Sequence, residues 1–488
     1  MAEACAASAA GTSRATRALA VLKIEWLEYI FGIYPFNRMS DHIQDHQETN
    51  VPRGSSVQRG PGAVRPPTWL CASRVAVALA LGMVGAACTG RGPATDAESR
   101  TVAAAQAPRV LLISLDGFRA DYIFRPGAGR LRELAARGVR AERMVPAFPS
   151  KTFPNHYTIV TGLTPEQHGI VANSMKDPEL GLFLTTDSVA QTDPRWWGGE
   201  PIWVTVEKQG RRAASLFWPG SEAKIDGIGP TWWTRYQHDL PHATRIAQVL
   251  EWLALPPDSA PALITMYFPD TDDAGHLFGP MAPETDSAIA RVDRSVGAIV
   301  DGIARLGLTD MVNVIIVADH GMTPVSDQRV IVLDDYVDLA TVDVVDWTPV
   351  AAIAPRAGDE ERVYQALRGK HPHLQVFRKG EVPARWHFND HPRITPIVAV
   401  ADEGWTITSR AQIAWRQESG WTLGGAHGYD PDLVSMGAVF IAAGPGIARG
   451  RIVPPFRNIH VYPLMAHLLR VRPAVTSGVL DSVRRVLR

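Results

Sequence analysis

The feature that most constrains this chain is a series of short apolar runs, each ending in a polar residue. Residues 109–115 read RVLLISL and are followed directly by Asp116. A run that is apolar at every position is typical of a strand buried on both faces of a parallel sheet. The same character recurs in residues 213–217, 262–268 and 312–318. Apolar residues at helical spacing occupy 131–137, 243–253 and 285–306. Strands alternating with helices predict an α/β fold with a mostly parallel central sheet and helices on both faces.

Two regions interrupt this alternation and are interpreted as insertions. Residues 176–201 are rich in Asp, Pro, Gly and Trp, and residues 334–389 form a longer segment with strand-like and helix-like pieces of its own. Long insertions in compact domains usually lie over the ends of a sheet and shape a pocket. We therefore expect residues 108–488 to form one domain with a cap built from these two segments.

The first hundred residues have the pattern of an exported protein. An apolar stretch at 75–87 follows Arg74 and ends at Cys88. It is too short to span a membrane and is typical of a signal peptide, and residues 85–88 (GAAC) resemble a bacterial lipoprotein cleavage site. Residues 74–88 are thus predicted to be a signal or lipoprotein segment, and 89–107 a polar linker. Residues 1–73 are either a disordered extension or upstream of the true start.

This pattern predicts a bacterial protein that is periplasmic or anchored to a membrane through a lipid on Cys88. The alternative is ordinary signal cleavage near Ala87. All three cysteines of the chain lie at or before position 88. A disulfide framework, a thiolate zinc site and a cysteine nucleophile are therefore excluded for the main domain. The formal net charge of -1 gives no reason to expect bulk binding of nucleic acid, whereas a small anionic substrate needs only local charge.

Acidic and histidine side chains follow the predicted strands at four separate places. Each has an ordinary alternative, because Asp often caps the next turn and a lone His is usually structural. In parallel sheets, however, ligands bind beyond the carboxyl ends of the strands. The side chains concerned are Asp116, Asp272 with His276, Asp319 with His320, and His427. Oxygen and imidazole ligands without thiolate suit zinc, or less exclusively manganese or iron.

Three Asp, three His and one hydroxyl divide naturally between two ions. Two ions roughly 4 Å apart can clamp the attacking and leaving oxygens of a phosphoryl group. The hydroxyl is that of Thr152, in the segment PSKTFPNHY at 149–157, where Pro154 suits the first turn of a helix. Such a threonine is usually only a helix cap. With an ion beside it, the same hydroxyl becomes a nucleophile that can attack phosphorus.

Seven motifs in order resemble the nucleotide pyrophosphatase/phosphodiesterase family of the alkaline phosphatase superfamily. They are residues 110–119 (VLLISLDGFR), 149–162 (PSKTFPNHYTIVTG), 168–173 (HGIVAN), 217–222 (FWPGSE), 272–280 (DDAGHLFGP), 318–322 (ADHGM) and 426–430 (AHGYD). The resemblance extends from about residue 108 to the C-terminus. It implies two Zn²⁺ per chain and hydrolysis of nucleotide phosphodiester or pyrophosphate bonds, which releases a nucleoside 5′-monophosphate.

The resemblance also implies a role for each matching residue. One zinc would be held by Asp116, Thr152, Asp319 and His320, and the other by Asp272, His276 and His427. Thr152 would be the nucleophile and form a phosphothreonine-type intermediate. Asn173 would donate to a phosphoryl oxygen, and the nucleoside base would lie against Phe153, Tyr236 and Tyr267.

Three Asp residues compete for one ligand position, and three alternative functions remain open. Asp270, Asp272 and Asp273 are neighbours, and the family spacing of Asp, three residues and His selects Asp272. The first alternative function is a phosphodiesterase for lipid or glycerol head groups of the choline type on the same bimetal core. The second is a phosphonate hydrolase or monoesterase of the same superfamily. The third is a binding protein that has lost catalysis.

Overall fold

The computed structural model describes residues 108–488. The predicted N-terminal extension, the lipoprotein-type segment with Cys88 and the linker lie outside these residues. None of the described helices combines the length and the apolar composition needed to cross a bilayer.

Two larger sheets and eleven α-helices organise the described chain. The strands are β1 (Arg109–Leu115), β2 (Val139–Ala141), β3 (Ala213–Leu216), β4 (Trp232–Thr234), β5 (Leu263–Phe268), β6 (Val312–Val317), β7 (Val342–Asp346), β8 (Val350–Pro355), β9 (Leu374–Arg378), β10 (Ile397–Ala401), β11 (Phe440–Ala443) and β12 (Arg451–Val453). The helices are α1 (Gly129–Arg137), α2 (Thr152–Thr161), α3 (Pro165–His168), α4 (Ser188–Thr192), α5 (Ile202–Lys208), α6 (His242–Ala254), α7 (Asp270–Phe278), α8 (Pro283–Arg305), α9 (Glu360–Leu367), α10 (Arg410–Ser419) and α11 (Val461–Leu469).

The main sheet has eight strands in the order β12-β2-β11-β6-β1-β5-β3-β4. Neighbours from β6 to β4 are parallel, whereas β11 runs antiparallel to β6 and β2. The predicted α/β class with a mostly parallel sheet is confirmed. The central strands β1, β5 and β6 are buried over almost their whole length, as expected for strands covered by helices on both faces.

The second sheet is antiparallel, with the order β7-β8-β10-β9, and it falls largely in the predicted insertion. Its strand β10 lies beyond the predicted boundary at residue 389. The other predicted insertion, 176–201, contains α4 and most of a two-stranded hairpin formed by Met175–Asp177 and Gly181–Phe183. Further short strand pairs join Met144–Val145 to Phe456–Arg457, Thr323–Pro324 to Gly425–Ala426, and Val330–Val332 to Thr406–Thr408.

Candidate active site

The register of the main sheet brings its polar strand ends together. Leu115 pairs with Phe268, and Ser114 pairs with Val317, so β1, β5 and β6 end side by side. Asp116 follows β1 directly, and Asp319 comes two residues after β6. Helix α7 begins just after β5 and carries the next acidic residues. The local sequence pattern thus fixes three carboxylate-bearing segments at one edge.

Gly117 allows the turn after β1 to pass close to α7. Its backbone is left-handed, with φ at 63°, and an added Cβ would lie 2.9 Å from the Cα of Asp272. Only glycine adopts this conformation readily and leaves that space free. The backbone N–H of Gly117 also donates to Asp319 Oδ1 at 3.2 Å. This hydrogen bond connects the turn after β1 to the segment after β6.

Asp272, His276 and His427 form one buried cluster. Their ligand atoms lie within 4.8 Å of one another. Asp272 and His276 are four residues apart on α7, so both side chains lie on the same helical face, with His276 Nε2 3.5 Å from Asp272 Oδ2. His427 follows the short strand Gly425–Ala426, and its Nε2 is 3.6 Å from Asp272 Oδ1.

The other predicted ligands surround the Thr152 hydroxyl. His320 Nε2 is 2.9 Å from Asp319 Oδ2, 3.5 Å from Asp116 Oδ1 and 3.3 Å from Thr152 Oγ1. The rings of His320 and His427 stack with their centroids 3.5 Å apart, so the two clusters adjoin. The structure therefore brings every residue of the predicted ligand set into one buried region.

The three histidines share one orientation. His276 Nδ1–H donates to the carbonyl of Gly425, His320 Nδ1–H to that of Gly321, and His427 Nδ1–H to that of Ser150, each at 2.9 Å. A carbonyl can only accept, so in the neutral ring the lone pair is on Nε2. The Nε2 atoms are the ones that face the carboxylates. Ligand histidines are commonly held in this way by a backbone carbonyl.

Burial sets the protonation of these groups in the absence of a cation. It lowers the pKa of His276 to about 4, and it also lowers the pKa of His427, so both rings are neutral at pH 7. Burial, and then the nearby carboxylates of Asp319 and Asp272, raise the pKa of Asp116. Burial likewise raises the pKa of Asp272. Neutral imidazoles beside crowded buried carboxylates are the donor set that a divalent cation stabilises.

Two buried carboxylate oxygens without hydrogen bonds also favour a divalent cation at this place. Asp116 Oδ1 and Asp272 Oδ1 are both buried and accept no hydrogen bond from any described residue. Buried carboxylate oxygens normally have partners, and each exception calls for an explanation such as an ion. The residues therefore fit metal ions. Asp272, His276 and His427 form one compact group, and Asp116 belongs to two others, one with His156 and Asp319 and one with Asp272 and His320.

Thr152 begins α2 without acting as its cap. The preceding residue, Lys151, is in the N-cap position, and no side chain caps the helix. The loop before it is held instead by Asn155, whose amide donates to the carbonyls of Pro149 and Lys151, both at 2.9 Å. The interpretation of Thr152 as a simple helix cap is thus wrong. Its hydroxyl is buried among the predicted ligands.

Asn173 is oriented by the residue after the nucleophile. The backbone N–H of Phe153 donates to Asn173 Oδ1 at 3.0 Å. With its oxygen occupied, the Asn173 amide presents its NH₂ group as a donor. The Phe153 ring packs with Phe183 and Trp197, at centroid distances of 5.9 and 6.3 Å.

Tyr267 and Tyr236 lie beside the first cluster. The Tyr267 hydroxyl donates to Asp116 Oδ2 at 2.6 Å. The Tyr236 ring contacts Tyr267 edge-on, with centroids 5.8 Å apart, and the residue as a whole is 42% exposed. The two predicted base-contacting tyrosines therefore form one wall that begins at a ligand carboxylate.

The neighbours of Asp272 on α7 have other partners. Asp270 pairs with His242 at 3.0 Å and with Arg291. Asp273 pairs with His238 at 3.2 Å. Among the three competing Asp residues, Asp272 is therefore the one whose carboxylate lies within the clusters, as the spacing predicted.

His156 is not among the predicted ligands, yet it lies beside Asp116 and Asp319 in the site. Its Nδ1 is 3.4 Å from Asp319 Oδ2, and with Asp116 and Asp319 it forms a geometrically possible metal group. Both ring nitrogens are occupied, because Nδ1–H donates to the Thr152 carbonyl at 2.9 Å and Nε2 lies 2.8 Å from Ser114 Oγ. His156 thus connects the backbone of the nucleophile residue, Thr152, to Ser114 in strand β1. The Asn-His pair after Pro154 was the only sequence signal for it.

Lys151 has a buried partner from the second sheet. Its Nζ is 2.6 Å from Asp346 Oδ2, and the two side chains are only 5% and 7% exposed. No local pattern could have identified Asp346, which lies 195 residues away.

Comparison with known proteins agrees with this geometry. A profile of the type I phosphodiesterase / nucleotide pyrophosphatase family matches residues 110–430. The chain belongs to this family. It is 37% identical over 381 residues to human ectonucleotide pyrophosphatase/phosphodiesterase family member 5, covering 78% of each chain. It is 38% identical over 383 residues to the bis(5′-adenosyl)-triphosphatase of Xenopus laevis, covering 78% of this chain and 82% of that protein.

A solved structure of the family superimposes on the described fold. It is an inactive variant of murine ectonucleotide pyrophosphatase/phosphodiesterase 5 in complex with AMP, 37% identical, with a TM-score of 0.74. The match covers 78% of this chain and 100% of that one. The fold is therefore that of the phosphodiesterase family, and the chain is a hydrolase of phosphodiester bonds.

Proposed function

We propose that this chain hydrolyses phosphodiester or pyrophosphate bonds in nucleotides and their derivatives, releasing nucleoside 5′-monophosphate. One observation carries the proposal: the buried Thr152 hydroxyl lies at the start of α2, within 3.3 Å of His320 Nε2, among carboxylates and imidazoles that could hold metal ions. The AMP complex of the murine relative supports a nucleotide substrate.

The steps of the proposed hydrolysis are assigned to residues of this chain. Thr152 Oγ attacks phosphorus, a Thr–O–P bond forms and the bond to the leaving oxygen breaks. The Asn173 amide donates to a non-bridging oxygen, where charge accumulates during transfer. Water then displaces Thr152 from phosphorus, which regenerates the hydroxyl and frees the nucleoside monophosphate. Metal ions, when bound, supply positive charge that favours the threonine alkoxide and neutralises the phosphoryl group.

The nucleophile is tested with Thr152→Ala. We expect its hydrolysis of the p-nitrophenyl ester of thymidine 5′-monophosphate to fall by at least about 10³-fold, because covalent catalysis is lost. Thr152→Ser keeps a hydroxyl and is the matched control, which should retain measurable turnover and the covalent intermediate. A Thr152→Ala enzyme with near wild-type rates and unchanged metal content would exclude Thr152 as the nucleophile.

The substrate class is tested by comparing a diester with the matching monoester and with other leaving groups. A panel of ATP, a dinucleoside polyphosphate, an ADP-sugar, a cyclic dinucleotide and glycerophosphocholine is suitable. The proposal predicts that nucleotides are preferred and that p-nitrophenyl phosphate is a poor substrate. Preference for the monoester would refute the diesterase assignment, and preference for glycerophosphocholine would favour a head-group phosphodiesterase.

We also propose that the resident metals are two Zn²⁺ per chain. The thiolate-free set of Asp and His side chains supports zinc. Metal analysis of the purified protein should give about two zinc per chain, and Asp272→Asn should lose at least one of them. Asp270→Asn is the matched control, because Asp270 pairs with His242 and Arg291 and should keep both ions. One ion per wild-type chain would contradict the proposal.

Export remains a proposal that rests on the sequence of residues 74–88. The apolar run and Cys88 support a bacterial envelope protein, either periplasmic or lipid-anchored. Expression of the full chain with Cys88→Ala distinguishes the two. A lipid anchor predicts that the wild-type enzyme is in the membrane fraction and that the variant is released from it. Identical fractionation of both proteins would contradict the anchor.

A further inference from the structure

The segment after β4 carries an aromatic wall that borders the site. Tyr236 packs edge-on against Tyr267 and Phe217, with ring centroids 5.8 and 5.3 Å apart. Because Tyr267 donates to Asp116, this wall begins at the predicted ligands around Asp116 and extends outward to Tyr236, a residue that is 42% exposed. Tyr236 is therefore the exposed end of this wall.

His238 holds the outer end of that wall. The hydroxyl of Tyr236 lies 2.9 Å from His238 Nδ1, and His238 Nε2 lies 3.2 Å from Asp273 Oδ2. A carboxylate only accepts hydrogen bonds, so Nε2 carries a hydrogen and, in the neutral ring, Nδ1 accepts from the Tyr236 hydroxyl. The imidazole thus bridges the tyrosine to a carboxylate on α7.

The bridge connects the aromatic wall to both groups of predicted ligands. Asp273 directly follows Asp272 on α7, so the outer end of the wall is attached to the helix that carries one cluster. The inner end, at Tyr267, is attached to Asp116 in the other cluster. The side chain of Tyr236 is consequently linked to both sets of predicted ligands, while its backbone N–H donates to Glu222 Oε1 at 3.0 Å.

The backbone of the same segment is held independently by Arg245. This buried guanidinium donates to the carbonyls of Leu240 at 2.9 Å, His238 at 2.7 Å and Tyr267 at 2.9 Å. Loss of the His238 side chain leaves these backbone contacts intact. The imidazole is therefore available for a role other than maintaining the fold of the segment.

We infer that His238 is a specificity-determining residue for the nucleoside half of the substrate, and that it acts by fixing the Tyr236 ring as a stacking surface for a base. The inference rests on the proposed function. It concerns binding of the base and leaves the chemistry at phosphorus to the residues already described. His238 is a positioning residue, because it acts through Tyr236.

The test uses two diesters with the same leaving group. One is the p-nitrophenyl ester of thymidine 5′-monophosphate, and the other is methyl p-nitrophenyl phosphate, which lacks a nucleoside. For His238→Ala we expect KM of the nucleoside ester to rise by about 5- to 20-fold with kcat nearly unchanged, the size of a weakened base-stacking contact. The kinetic constants for the methyl ester should stay within about twofold, because no base contacts the wall.

Two amide variants separate the contacts of the imidazole. The Asn amide reaches the place of Nδ1, and the Gln amide reaches that of Nε2. His238→Asn should therefore recover most of the lost affinity, whereas His238→Gln should resemble His238→Ala. Tyr236→Phe, which lacks only the hydroxyl, should raise KM to a similar extent. The double variant with His238→Ala should add little, because both changes remove the same interaction.

The outcomes distinguish this inference from the proposed function. No diester hydrolysis by the metal-loaded wild-type enzyme would refute the proposed function. An active wild-type enzyme with unchanged KM in His238→Ala would overturn the inference alone. Equal losses on the nucleoside and methyl esters would also overturn it, because they would indicate a disturbed metal site. Binding of AMP to the Thr152→Ala protein, weakened by His238→Ala by the same factor as KM, would support it without turnover.

Discussion

At the scale of single residues, the orientation of Asn173 leads to a specific expectation. Its Oδ1 accepts from the backbone of Phe153, so its NH₂ group is the part free to donate to a phosphoryl oxygen. We predict that Asn173→Ala lowers kcat by about 10²- to 10³-fold, the usual effect of removing one donor to a developing charge. Steady-state kinetics together with metal analysis provide the measurement.

Asn173→Asp is the informative companion of that variant. It retains the acceptor for Phe153 but replaces the donor with a negative charge, so kcat should fall at least as far as in Asn173→Ala. Metal content should be unchanged in both proteins. A loss smaller than about threefold in Asn173→Ala would assign the stabilisation of the phosphoryl oxygens to other groups.

The residues that sequence could identify share a simple geometric origin. Asp116, Asp319 and the start of α7 follow parallel strands, and the carboxyl ends of such strands meet at one edge. His238 and Asp346 do not follow from any rule of this kind. Their contacts depend on how a loop and a separate sheet pack against the core, which is a property of side chains distant in the chain.

At the scale of elements, a buried imidazole links α2 and α3. His168 Nδ1 accepts from the Ile170 N–H at 3.1 Å, so its Nε2–H donates to Thr158 Oγ1 at 2.9 Å. Burial lowers the pKa of His168 to about 3. This histidine stays neutral in the folded protein at pH values where it becomes protonated in the unfolded chain.

The lowered pKa of His168 determines the direction in which the free energy of unfolding changes with pH. Below pH 6.5 the unfolded state gains a proton that the folded state does not bind, so the free energy of unfolding decreases as pH falls. His168 should account for a loss of about 2 kcal/mol between pH 7 and pH 5. Denaturant unfolding of His168→Gln, which can still donate to Thr158, should show a correspondingly shallower pH dependence. Parallel curves for the two proteins would argue against the prediction.

Hydrophobic periodicity is sufficient to predict the position of a long helix, but it does not predict the direction of a strand. The helix predicted at 285–306 is observed as Pro283–Arg305, because a long amphipathic pattern with Pro at its start has few alternatives. The apolar run near residue 440 forms β11, which runs antiparallel to β6. The direction of a strand within a sheet depends on the connections between strands, and the apolar pattern of β11 carries no information about it.

At the scale of the whole molecule, the second sheet is joined to the nucleophile loop by the Lys151–Asp346 ion pair. Both side chains are almost fully buried, so removal of the carboxylate leaves an unpaired ammonium away from water. We predict that Asp346→Asn lowers the free energy of unfolding by about 3–5 kcal/mol, the usual cost of breaking a buried pair. Chemical denaturation of the metal-loaded protein is the measurement.

The chain contains its own control for this prediction. Lys176 and Asp343 form a second Lys–Asp pair with the same strand, β7, at 3.0 Å, but their side chains are 54% and 68% exposed. Asp343→Asn should therefore change the free energy of unfolding by less than about 1 kcal/mol. Similar effects of the two substitutions would show that burial of Lys151 and Asp346 contributes little.

The carbonyl of Ser150 has a consequence for the proposed binding of two metal ions. It accepts from His427, a predicted ligand of one cluster, while Thr152, two residues further on, belongs to the other. An ion that orders this loop from one side lowers the entropic cost of ordering it from the other. We therefore expect loading of the apoprotein to be positively cooperative, with a Hill coefficient above unity in zinc titrations. Under limiting zinc, a population of this protein would then consist mainly of fully loaded and empty molecules.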